Sequence, residues 1–567
     1  MNTNYLFLYT IGPVQSFIAR ARKTHDLWSG SSLLSELSRE TALYAKNVYN
    51  AIPVFPPVDA NKKFMPNRFL AFIEAEDISK VGKKLEKYTL GILQQRADEA
   101  LKNVNVKPFG FDEQIENFLQ IHWAALPCKE NQYPDKFSEI EQLLAAVKNV
   151  RAFNPLLEKP GRKCSLSGEQ IALFYDAQRK PKGIVSHAVP VNGFKLNPGE
   201  ALDGIGFIKR CFQAEKPFKS FPSTAEIALG DTIHKFPNPE LLSDYKKLYE
   251  GYSFDAQLFF EENLTKKYFE KYSIKVNPDD AKIFLKKIRE KAAAENLVFQ
   301  KYYAVVMLDG DNVGAWLSGE KLKSAQKANL QTYHEDVSKK LTEYATFVQS
   351  IFNNVPGKGA LVYCGGDDVL AFVNLNHLIS VLKDLREKLP DLDGTGRYTA
   401  TAGVVVAHYK TPLSEVLKWV RKVEKEAKNF DSDKNKIAFA VLKHSGEIEK
   451  FVMPWHLLDR TSVLDVFQQL QSAWKEELLS ASFVRQLLLS FYRLLDSEGN
   501  FIHKNLLLVE LERLIKRSAL EKGKSGEGKE KINTLIKLLN QLLNDTQRLK
   551  NFMSFLSIAD FLERKVK

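Results

Sequence analysis

The sequence contains little cysteine and no long apolar run. Its four cysteines, Cys128, Cys164, Cys211 and Cys364, are scattered over 567 residues without a Cys-x-x-Cys pair. This scatter provides neither a disulfide framework nor an evident zinc site. No apolar segment approaches the ~18–20 residues that cross a bilayer. The N-terminal stretch YLFLYTI lacks the basic leader and cleavage site of a signal peptide. We therefore expect a cytoplasmic protein with no membrane partner.

The composition is that of an ordinary globular protein with an excess of basic residues. Hydrophobic residues make up 44% of the chain and charged residues 26%, and the formal net charge is +12. A chain of this length is too long for a single hydrophobic core, so three or four domains are expected. The basic balance favours nucleic-acid or nucleotide partners, although a diffuse lysine surface has the same charge.

The order of apolar patterns predicts an α+β protein with four regions. Residues 1–125 read as strand, helix, strand and a long charged helix, and residues 126–298 as an irregular insertion with linking helices. Residues 299–447 follow the order β-α-β-β-α-β of a ferredoxin-like, palm-type unit. Leucine periodicity in residues 448–567 predicts a C-terminal α-helical bundle, interrupted by a mobile basic loop at 521–531.

Two strand–turn–helix segments resemble each other. These are YLFLYTIGPVQSF near the N-terminus and YYAVVMLDGDNVGAW after residue 301. The likeness predicts a duplicated palm whose first copy has lost its acidic residues and is non-catalytic. Chance similarity of two strand–helix units is the alternative.

The segment LVYCGGDDVLAF predicts a β-hairpin with two adjacent carboxylates. Gly365 and Gly366 suit the tight bend, and Asp367 and Asp368 stand where the second strand begins. Two neighbouring like charges repel, and strands disfavour aspartate. Either a divalent cation or simple exposure to solvent would offset this cost.

A second acidic turn, MLDGDNVG, follows the first strand of the same unit. Asp309 and Asp311 lie at the end of that strand, which is central in a β-α-β-β-α-β sheet and neighbours the hairpin. Carboxylates from both segments can therefore meet at one edge, where Mg²⁺ or Mn²⁺ would find hard oxygen ligands. Paired metal ions of this kind catalyse phosphoryl displacement. Glycine at 310, 365 and 366 leaves room for a triphosphate near the backbone.

Lysines cluster after the last helix of this unit, in EKEAKNFDSDKNKIAF. Lysine can act as a point charge towards a polyphosphate, and solvated surface lysines are the alternative. The four side chains are Lys425, Lys428, Lys434 and Lys436.

These segments resemble the palm of GGDEF-type nucleotide cyclases, and more specifically the large subunit of type III-B (Cmr) CRISPR effector complexes. The resemblance rests on IGPVQSFIARARKTHDLWSGSSLLSEL, MLDGDNVGAWLSG, YCGGDDVLAF and AGVVVAHYKTPLSEVL, in that order. It implies two tandem palms, a zinc-ribbon-like insertion and a C-terminal helical domain. It also implies an ATP-consuming cyclase that makes cyclic oligoadenylates when the complex binds target RNA. The implied partners are the other Cmr-type subunits, guide RNA and target RNA.

By that resemblance, Asp309 and Asp368 are the principal metal ligands, with Asp367 beside them and the Gly310 carbonyl completing the set. Lys428 falls at the position of a triphosphate-binding lysine. The expected nucleotide-contacting residues are Gly310, Asp311, Asn312, Gly365, Gly366, Lys428 and Lys436.

Two departures of the sequence from the family pattern concern the nuclease domain and the zinc site. It begins at the first palm instead of an HD nuclease domain, and the dipeptide His25-Asp26 is interpreted as incidental, so DNA cleavage is not expected. Where the family has paired zinc-ribbon cysteines, Ser167 stands at the partner position of Cys164 and the region near Cys211 has no pair. A closed zinc site needs four ligands, so zinc is not expected.

Two other functions remain open from the sequence. The same site could join ATP to S-adenosylmethionine, giving an AMP adduct, because some family members without the HD domain use that acceptor. Alternatively, the chain could be a non-enzymatic scaffold subunit with relic motifs.

Overall fold

The computed structural model describes residues 3–59, 64–150, 158, 160–192, 196–213, 221–250, 252, 254–493, 504–546 and 549–565. In these ranges the chain is a mixed α/β protein with three sheets. None of the helices found there is both long and apolar enough to span a bilayer.

The first sheet is antiparallel and has the strand order β2-β3-β1-β4. Its strands are β1 (Thr3–Gly12), β2 (Ile52–Phe55), β3 (Arg68–Ala75) and β4 (Gln120–Pro127). The helices around it are α1 (Gln15–Ala19), α2 (Thr24–Tyr49), α3 (Ile78–Leu101), α4 (Phe111–Glu116) and α5 (Tyr133–Asn149). The apolar run of β1 is buried on both faces. Phe7 and Tyr9 belong to one core cluster, and the alternating Leu6 and Leu8 belong to another that includes Phe137 of α5.

The following region contains short strands and then helices. Strands β5 (Phe174–Asp176), β6 (Val189–Val191) and β7 (Ala201–Leu202) form a small sheet in the order β6-β5-β7. The helices are α6 (Gly204–Cys211), α7 (Thr224–His234), α8 (Pro239–Lys247), α9 (Lys266–Lys271) and α10 (Pro278–Ala294). Tyr245, Tyr249 and Phe259 lie in the core of these last helices.

The second sheet contains the predicted hairpin and has the strand order β13-β12-β11-β8-β10-β9. Its strands are β8 (Tyr302–Gly310), β9 (Gly359–Cys364), β10 (Val369–Val373), β11 (Ala400–His408), β12 (Lys436–Leu442) and β13 (Ile448–Pro454). The accompanying helices are α11 (Val313–Leu317), α12 (Ser324–Ala328), α13 (Leu330–Asn353), α14 (Leu378–Glu387) and α15 (Leu413–Lys428). The β11–β12 pair is parallel and the other pairs are antiparallel.

The prediction that β8 is central and neighbours the hairpin is confirmed, since β8 pairs with both β10 and β11. The two sheets also share an arrangement. The spatial strand order β2-β3-β1-β4 of the first sheet matches the order β9-β10-β8-β11 within the second sheet, when the strands of each are numbered along the chain. Each consists of a strand, helix, hairpin, helix and strand.

Strand β13 corrects the prediction that the helical region begins at residue 448. The segment is short, and its alternating buried residues Phe451 and Met453 are its only strand signal. It forms the sheet edge because Phe451 packs against Phe439 of β12 on one side and Phe555 of the C-terminal helices on the other.

The C-terminal region is helical, as predicted. Its helices are α16 (Val463–Lys475), α17 (Phe483–Tyr492), α18 (Lys504–Ser518), α19 (Glu521–Lys524), α20 (Gly526–Asp545) and α21 (Leu549–Asp560), followed by a π-turn at Phe561–Lys565. The mobile loop predicted at 521–531 is wrong, because α19 and the start of α20 occupy it. Gly523 packs against the Leu478 carbonyl, and Lys531 is paired with Glu476 at 2.9 Å, so the segment is held to the bundle.

Candidate active site

The end of β8 and the β9–β10 turn meet at one edge of the second sheet. Leu308 pairs with Val369, the first residue of β10, and Asp309 pairs with Thr401 of β11. Asp309 therefore leaves the sheet next to the hairpin turn, as the sequence predicted.

The hairpin turn is a two-residue loop. The Gly365 N–H donates to the Asp368 carbonyl at 3.2 Å, which leaves Gly366 and Asp367 at the tip. Gly366 has a φ of +110°, a conformation that side-chain-bearing residues rarely adopt. The turn thus depends on glycine and projects both aspartates from the start of β10.

Asp309, Asp367 and Asp368 form one acidic cluster. Each contributes a carboxylate oxygen, and these oxygens lie within 4.8 Å of one another. Loss of hydration raises the pKa of Asp367, and at Asp368, which keeps solvent contact, desolvation and the charges of Asp367 and Glu424 raise it too. Within the ranges described above, no other group of three His, Cys, Asp or Glu side chains converges in this way. The donor set fits Mg²⁺ or Mn²⁺, because hard cations prefer carboxylate oxygens and carry the charge that relieves this repulsion.

Gly310 has no room for a side chain. A Cβ there would lie 1.9 Å from the Tyr398 hydroxyl and 2.9 Å from Asp367 Oδ2. The Tyr398 hydroxyl is buried and has no hydrogen-bond partner among the described residues. The backbone at Gly310 consequently lies directly against the cluster, with an unpaired hydroxyl beside it.

Asp311, which the sequence predicts to contact nucleotide, points into the protein. Its carboxylate accepts hydrogen bonds from the Thr399 hydroxyl at 2.8 Å, the Thr401 hydroxyl at 2.9 Å and the Asn435 N–H at 3.0 Å. The side chain is 2% exposed. Because these three donors occupy both of its oxygens, Asp311 positions the strand ends around the site.

Two other expected nucleotide contacts are also occupied within the protein. Asn312, which has a left-handed backbone (φ 59°), accepts a hydrogen bond from the Lys434 ammonium at 2.6 Å. Lys436 is nearly buried and paired with Asp431 at 2.9 Å. Lys434 therefore contacts the turn after β8, and the ammonium of Lys436 belongs to an ion pair within the protein.

Lys428 lies in the acidic cluster itself. Its ammonium contacts Asp309 Oδ2 and lies 2.8 Å from Glu424 Oε1, one helical turn earlier on α15. The Glu424 oxygen has no aligned hydrogen-bond donor, so this contact is an ion pair only. Burial and then the charge of Lys434 lower the pKa of Lys428 to about 8. Burial and then Asp311 raise the pKa of Glu424 to about 7.

A cavity of about 210 Å³ adjoins the acidic cluster between the two sheets. Phe55 ends β2, Phe64 and Met65 lie between β2 and β3, and Leu341 comes from α13. Gly365, Gly366 and Asp367 form the end next to the cluster. A largely apolar cavity beside carboxylates suits a flat ring system that carries a polar reacting group.

The residues that depart from the family pattern have structural contacts. Asp26 is fully buried and forms an ion pair with Arg210 at 2.7 Å. The Ser167 hydroxyl donates to Asp203 at 2.7 Å, and Cys164 is buried nearby, with its Sγ accepting the Leu166 N–H at 3.4 Å.

Sequence reasoning did not identify Glu424 or Tyr398. The position of Glu424 four residues before Lys428 was an available signal, since residues at this spacing share a helix face. No sequence signal was available for Tyr398, because its proximity to Gly310 depends on how β11 pairs with β8.

Two protein-family models match the chain. Residues 6–106 match "CRISPR-associated protein Cmr2, N-terminal", and residues 302–438 match "Cas10/Cmr2, second palm domain". The second match contains the acidic cluster and Lys428.

Known proteins are similar over most of the chain. A CRISPR system Cmr subunit Cmr2 from Pyrococcus furiosus is 23% identical over 79% of this chain, which spans 62% of that relative's length. The apo Type III-B Cmr-beta structure shares the fold over 99% of this chain and 82% of the matched chain, at 14% identity and a TM-score of 0.68. The form bound to cognate target RNA matches this chain with a TM-score of 0.67 at 14% identity, and 83% of that chain is covered. Residues 6–106 and 302–438 are therefore similar to the two Cas10/Cmr2 domains, and the chain shares the fold of the Cmr-beta subunit over nearly its whole length.

Proposed function

We propose that this chain is the nucleotidyltransferase subunit of a type III-B (Cmr) CRISPR effector complex. In this proposal it converts ATP to cyclic oligoadenylate with release of pyrophosphate when the complex binds target RNA. The convergence of Asp309, Asp367 and Asp368 at the strand ends of a Cas10/Cmr2 palm carries the proposal.

The proposed domain organisation is a pair of ferredoxin-like palms. The first palm, residues 1–125, is non-catalytic, and a zinc-ribbon-like insertion with linking helices follows at 126–298. In this proposal the catalytic palm comprises residues 299–447 together with β13, and the helical domain follows Pro454. The strand order shared by the two sheets supports a duplication. After β1, Gly12 and Pro13 stand at the turn that carries Gly310 and Asp311 after β8, so the first copy has no acidic residue there.

Each residue of the site has a role that follows from its position. Asp309, Asp367, Asp368 and the Gly310 carbonyl would hold Mg²⁺ or Mn²⁺. Such an ion supplies positive charge that favours ionisation of a ribose 3′-hydroxyl and offsets the charge of the leaving pyrophosphate. The bare backbone at Gly365 and Gly366 lets the triphosphate approach the turn, and Lys428 presents its ammonium to the phosphates. The neighbouring cavity would enclose an adenosine group.

The proposed partners are the other Cmr-type subunits, guide RNA and target RNA. A similar fold occurs in a Cmr-beta complex bound to cognate target RNA. The net charge of +12 suits contact with phosphate backbones. Base pairing between guide and target would supply sequence specificity.

The test uses the assembled complex, target RNA, Mg²⁺ and labelled ATP. Asp367→Ala combined with Asp368→Ala should abolish product while leaving assembly and RNA binding intact, since the cluster lies at a solvent-accessible edge. Asp433→Ala is the matched control, because Asp433 is an exposed aspartate in the loop whose Lys434 contacts Asn312. Unchanged turnover in the double variant would refute the site, and a wild-type complex without turnover would favour a scaffold subunit.

The same assay separates the two acceptors when it is run with and without S-adenosylmethionine. Cyclic oligoadenylate formed from ATP alone supports the proposal. A product that forms only in the presence of S-adenosylmethionine would replace it with adenylyl transfer to that acceptor at the same carboxylates.

A further inference from the structure

The Lys428 ammonium contacts one of the three carboxylates that would hold a divalent cation. It contacts Asp309 Oδ2, and Asp309 is one of the three carboxylates whose oxygens converge. A divalent ion and an ammonium at the same carboxylate would repel each other strongly at such short range. Lys428 and the metal ion therefore compete for Asp309.

Lys428 has a second anion within reach. Glu424 Oε1 lies 2.8 Å from the ammonium, and its side chain is only 13% exposed. Glu424 is held in place because α15 lies directly on β11. A Cβ at Gly403 of β11 would lie 2.7 Å from the Val420 carbonyl and 2.8 Å from the Glu424 N–H. Glu424 is thus a fixed anchor, whereas Lys428 has a long, partly exposed side chain.

The net charge of the site changes when a metal ion binds. Asp309, Asp367, Asp368 and Glu424 carry four negative charges if all are ionised, and Lys428 and Lys434 carry two positive charges. The metal-free cluster needs a cation, and Lys428 supplies one. A divalent ion would bring these six groups to neutrality and remove the need for the Lys428–Asp309 contact.

We propose that Lys428 is a tethered cation that holds the acidic cluster together before metal binds, and that Glu424 keeps its ammonium at the site when the metal displaces it from Asp309. This inference rests on the proposed function, because it concerns the same metal site. Glu424 is a positioning residue: it acts through Lys428 and delivers that ammonium to the phosphates of the incoming nucleotide.

The proposal is tested by titrating the full chain with Mn²⁺ in the absence of nucleotide, with free Mn²⁺ measured by electron paramagnetic resonance. Lys428→Met should bind Mn²⁺ about tenfold more tightly than the wild type, because its competitor is gone, a change of about 1.4 kcal/mol. Lys418→Met removes the same charge from an exposed position of the same helix and should leave the affinity unchanged. Unchanged or weaker Mn²⁺ binding by Lys428→Met would overturn the proposal. Lys428→Gln repeats the measurement if the methionine variant has a lower melting temperature.

A double-mutant cycle tests the role of Glu424. Glu424→Gln should weaken Mn²⁺ binding several-fold in the wild-type background, because Lys428 then has Asp309 as its remaining anchor. In the Lys428→Met background the same change should have much less effect. An equal effect in both backgrounds would show that Glu424 acts directly on the metal and would refute its positioning role.

These outcomes separate this inference from the proposed function. If the wild type binds Mn²⁺ no better than the Asp367→Ala, Asp368→Ala variant, the proposed metal site itself fails. If the wild type binds Mn²⁺ at these aspartates and Lys428→Met binds it no more tightly, only the tethered-cation proposal fails.

Discussion

At the level of single residues, Gly310 has no space for a side chain. A methyl group there would overlap the Tyr398 hydroxyl and crowd Asp367. We predict that Gly310→Ala destabilises the protein by about 1–3 kcal/mol, the usual cost of overpacking, and weakens Mn²⁺ binding because Asp367 is displaced. Urea unfolding and Mn²⁺ titration would measure both effects.

Gly314 provides the matched control, since a Cβ at Gly314 meets no atom within 4 Å. Gly314→Ala should leave stability and Mn²⁺ binding near wild-type values. Adding Tyr398→Phe to Gly310→Ala removes the nearest clashing atom and should recover part of the lost stability. If Gly310→Ala and Gly314→Ala have the same stability and the same Mn²⁺ affinity, the close packing at Gly310 affects neither property.

Asp311 illustrates a carboxylate that is needed for structure instead of chemistry. Asp311→Asn would replace one of the two oxygens that accept from Thr399, Thr401 and Asn435 by an NH₂ group, which cannot accept. We predict a loss of about 1–3 kcal/mol in the free energy of unfolding, because buried donors lose their acceptor. Asp433→Asn, at an exposed position, should change stability little. Equal stability of the two variants in urea would contradict this role for Asp311.

At the level of elements, the sequence was sufficient for the centre of the second sheet and insufficient for its edge. The apolar runs of β8 and β11 and the glycine turn between β9 and β10 are strong local signals, and the structure contains all three. Strand β13 and helix α19 were missed because neither is stabilised locally. Phe451 of β13 depends on Phe439 and Phe555, and Gly523 of α19 depends on the Leu478 carbonyl. The contacts of Asp311 could not be predicted from the sequence for the same reason, since they follow from the β8–β11 register.

Helix α13 connects the two sheets through His334, which the sequence did not single out. The His334 Nε2–H donates to the Leu317 carbonyl, and Nδ1 accepts from the Tyr133 hydroxyl of α5, each at 2.7 Å. This pattern requires the neutral imidazole. Burial, the largest cause, and Arg68 lower the pKa of His334 to about 4, although the bond to Leu317 opposes the shift.

The lowered pKa predicts that this contact weakens in acid. Because the pKa of His334 is about 6.5 when unfolded and about 4 when folded, the unfolded state binds the proton first as pH falls. The stabilisation is therefore complete above pH 6.5 and is lost between about pH 6.5 and 4, by at most about 1.4 kcal/mol per pH unit. Urea unfolding across this range should show the decline.

Two variants identify the group responsible for that decline. His334→Gln should be less stable at pH 7.5 but should show a shallower fall in stability towards pH 4. Tyr133→Phe removes the hydroxyl partner and leaves the histidine able to titrate, so its decline should persist. A wild-type pH dependence in His334→Gln would assign the effect to other groups.

At the level of the whole molecule, the site depends on how separate regions of the chain meet. The cavity beside the acidic cluster combines the β2–β3 segment with α13 and the β9–β10 turn. Periodicity along a chain predicts which face of each element is buried, but not which distant element covers it. The motifs therefore located the carboxylates, whereas the surfaces that complete the site could be seen only in the folded structure.

A buried ionic network connects helix α2, which packs beside the first sheet, to helix α6 of the following region. Arg210 of α6 pairs with Asp26 of α2 and with Glu200, each at 2.7 Å, and all three side chains are almost fully buried. Burial alone would raise the pKa of Asp26, but the charge and hydrogen bonds of Arg210 outweigh it and hold the pKa below its usual range. The network therefore stays ionised at neutral pH.

Arg210→Met would leave the buried Asp26 and Glu200 without their ion-pair partner. We predict a loss of about 3–5 kcal/mol in the free energy of unfolding, whereas Arg20→Met, which removes a partly exposed pair with Glu169, should cost at most about 1 kcal/mol. Neutralising all three residues, by adding Asp26→Asn and Glu200→Gln, should recover part of the loss because neither carboxylate is then a buried charge without its arginine. Equal losses for Arg210→Met and Arg20→Met in urea unfolding would show that this network does not stabilise the molecule.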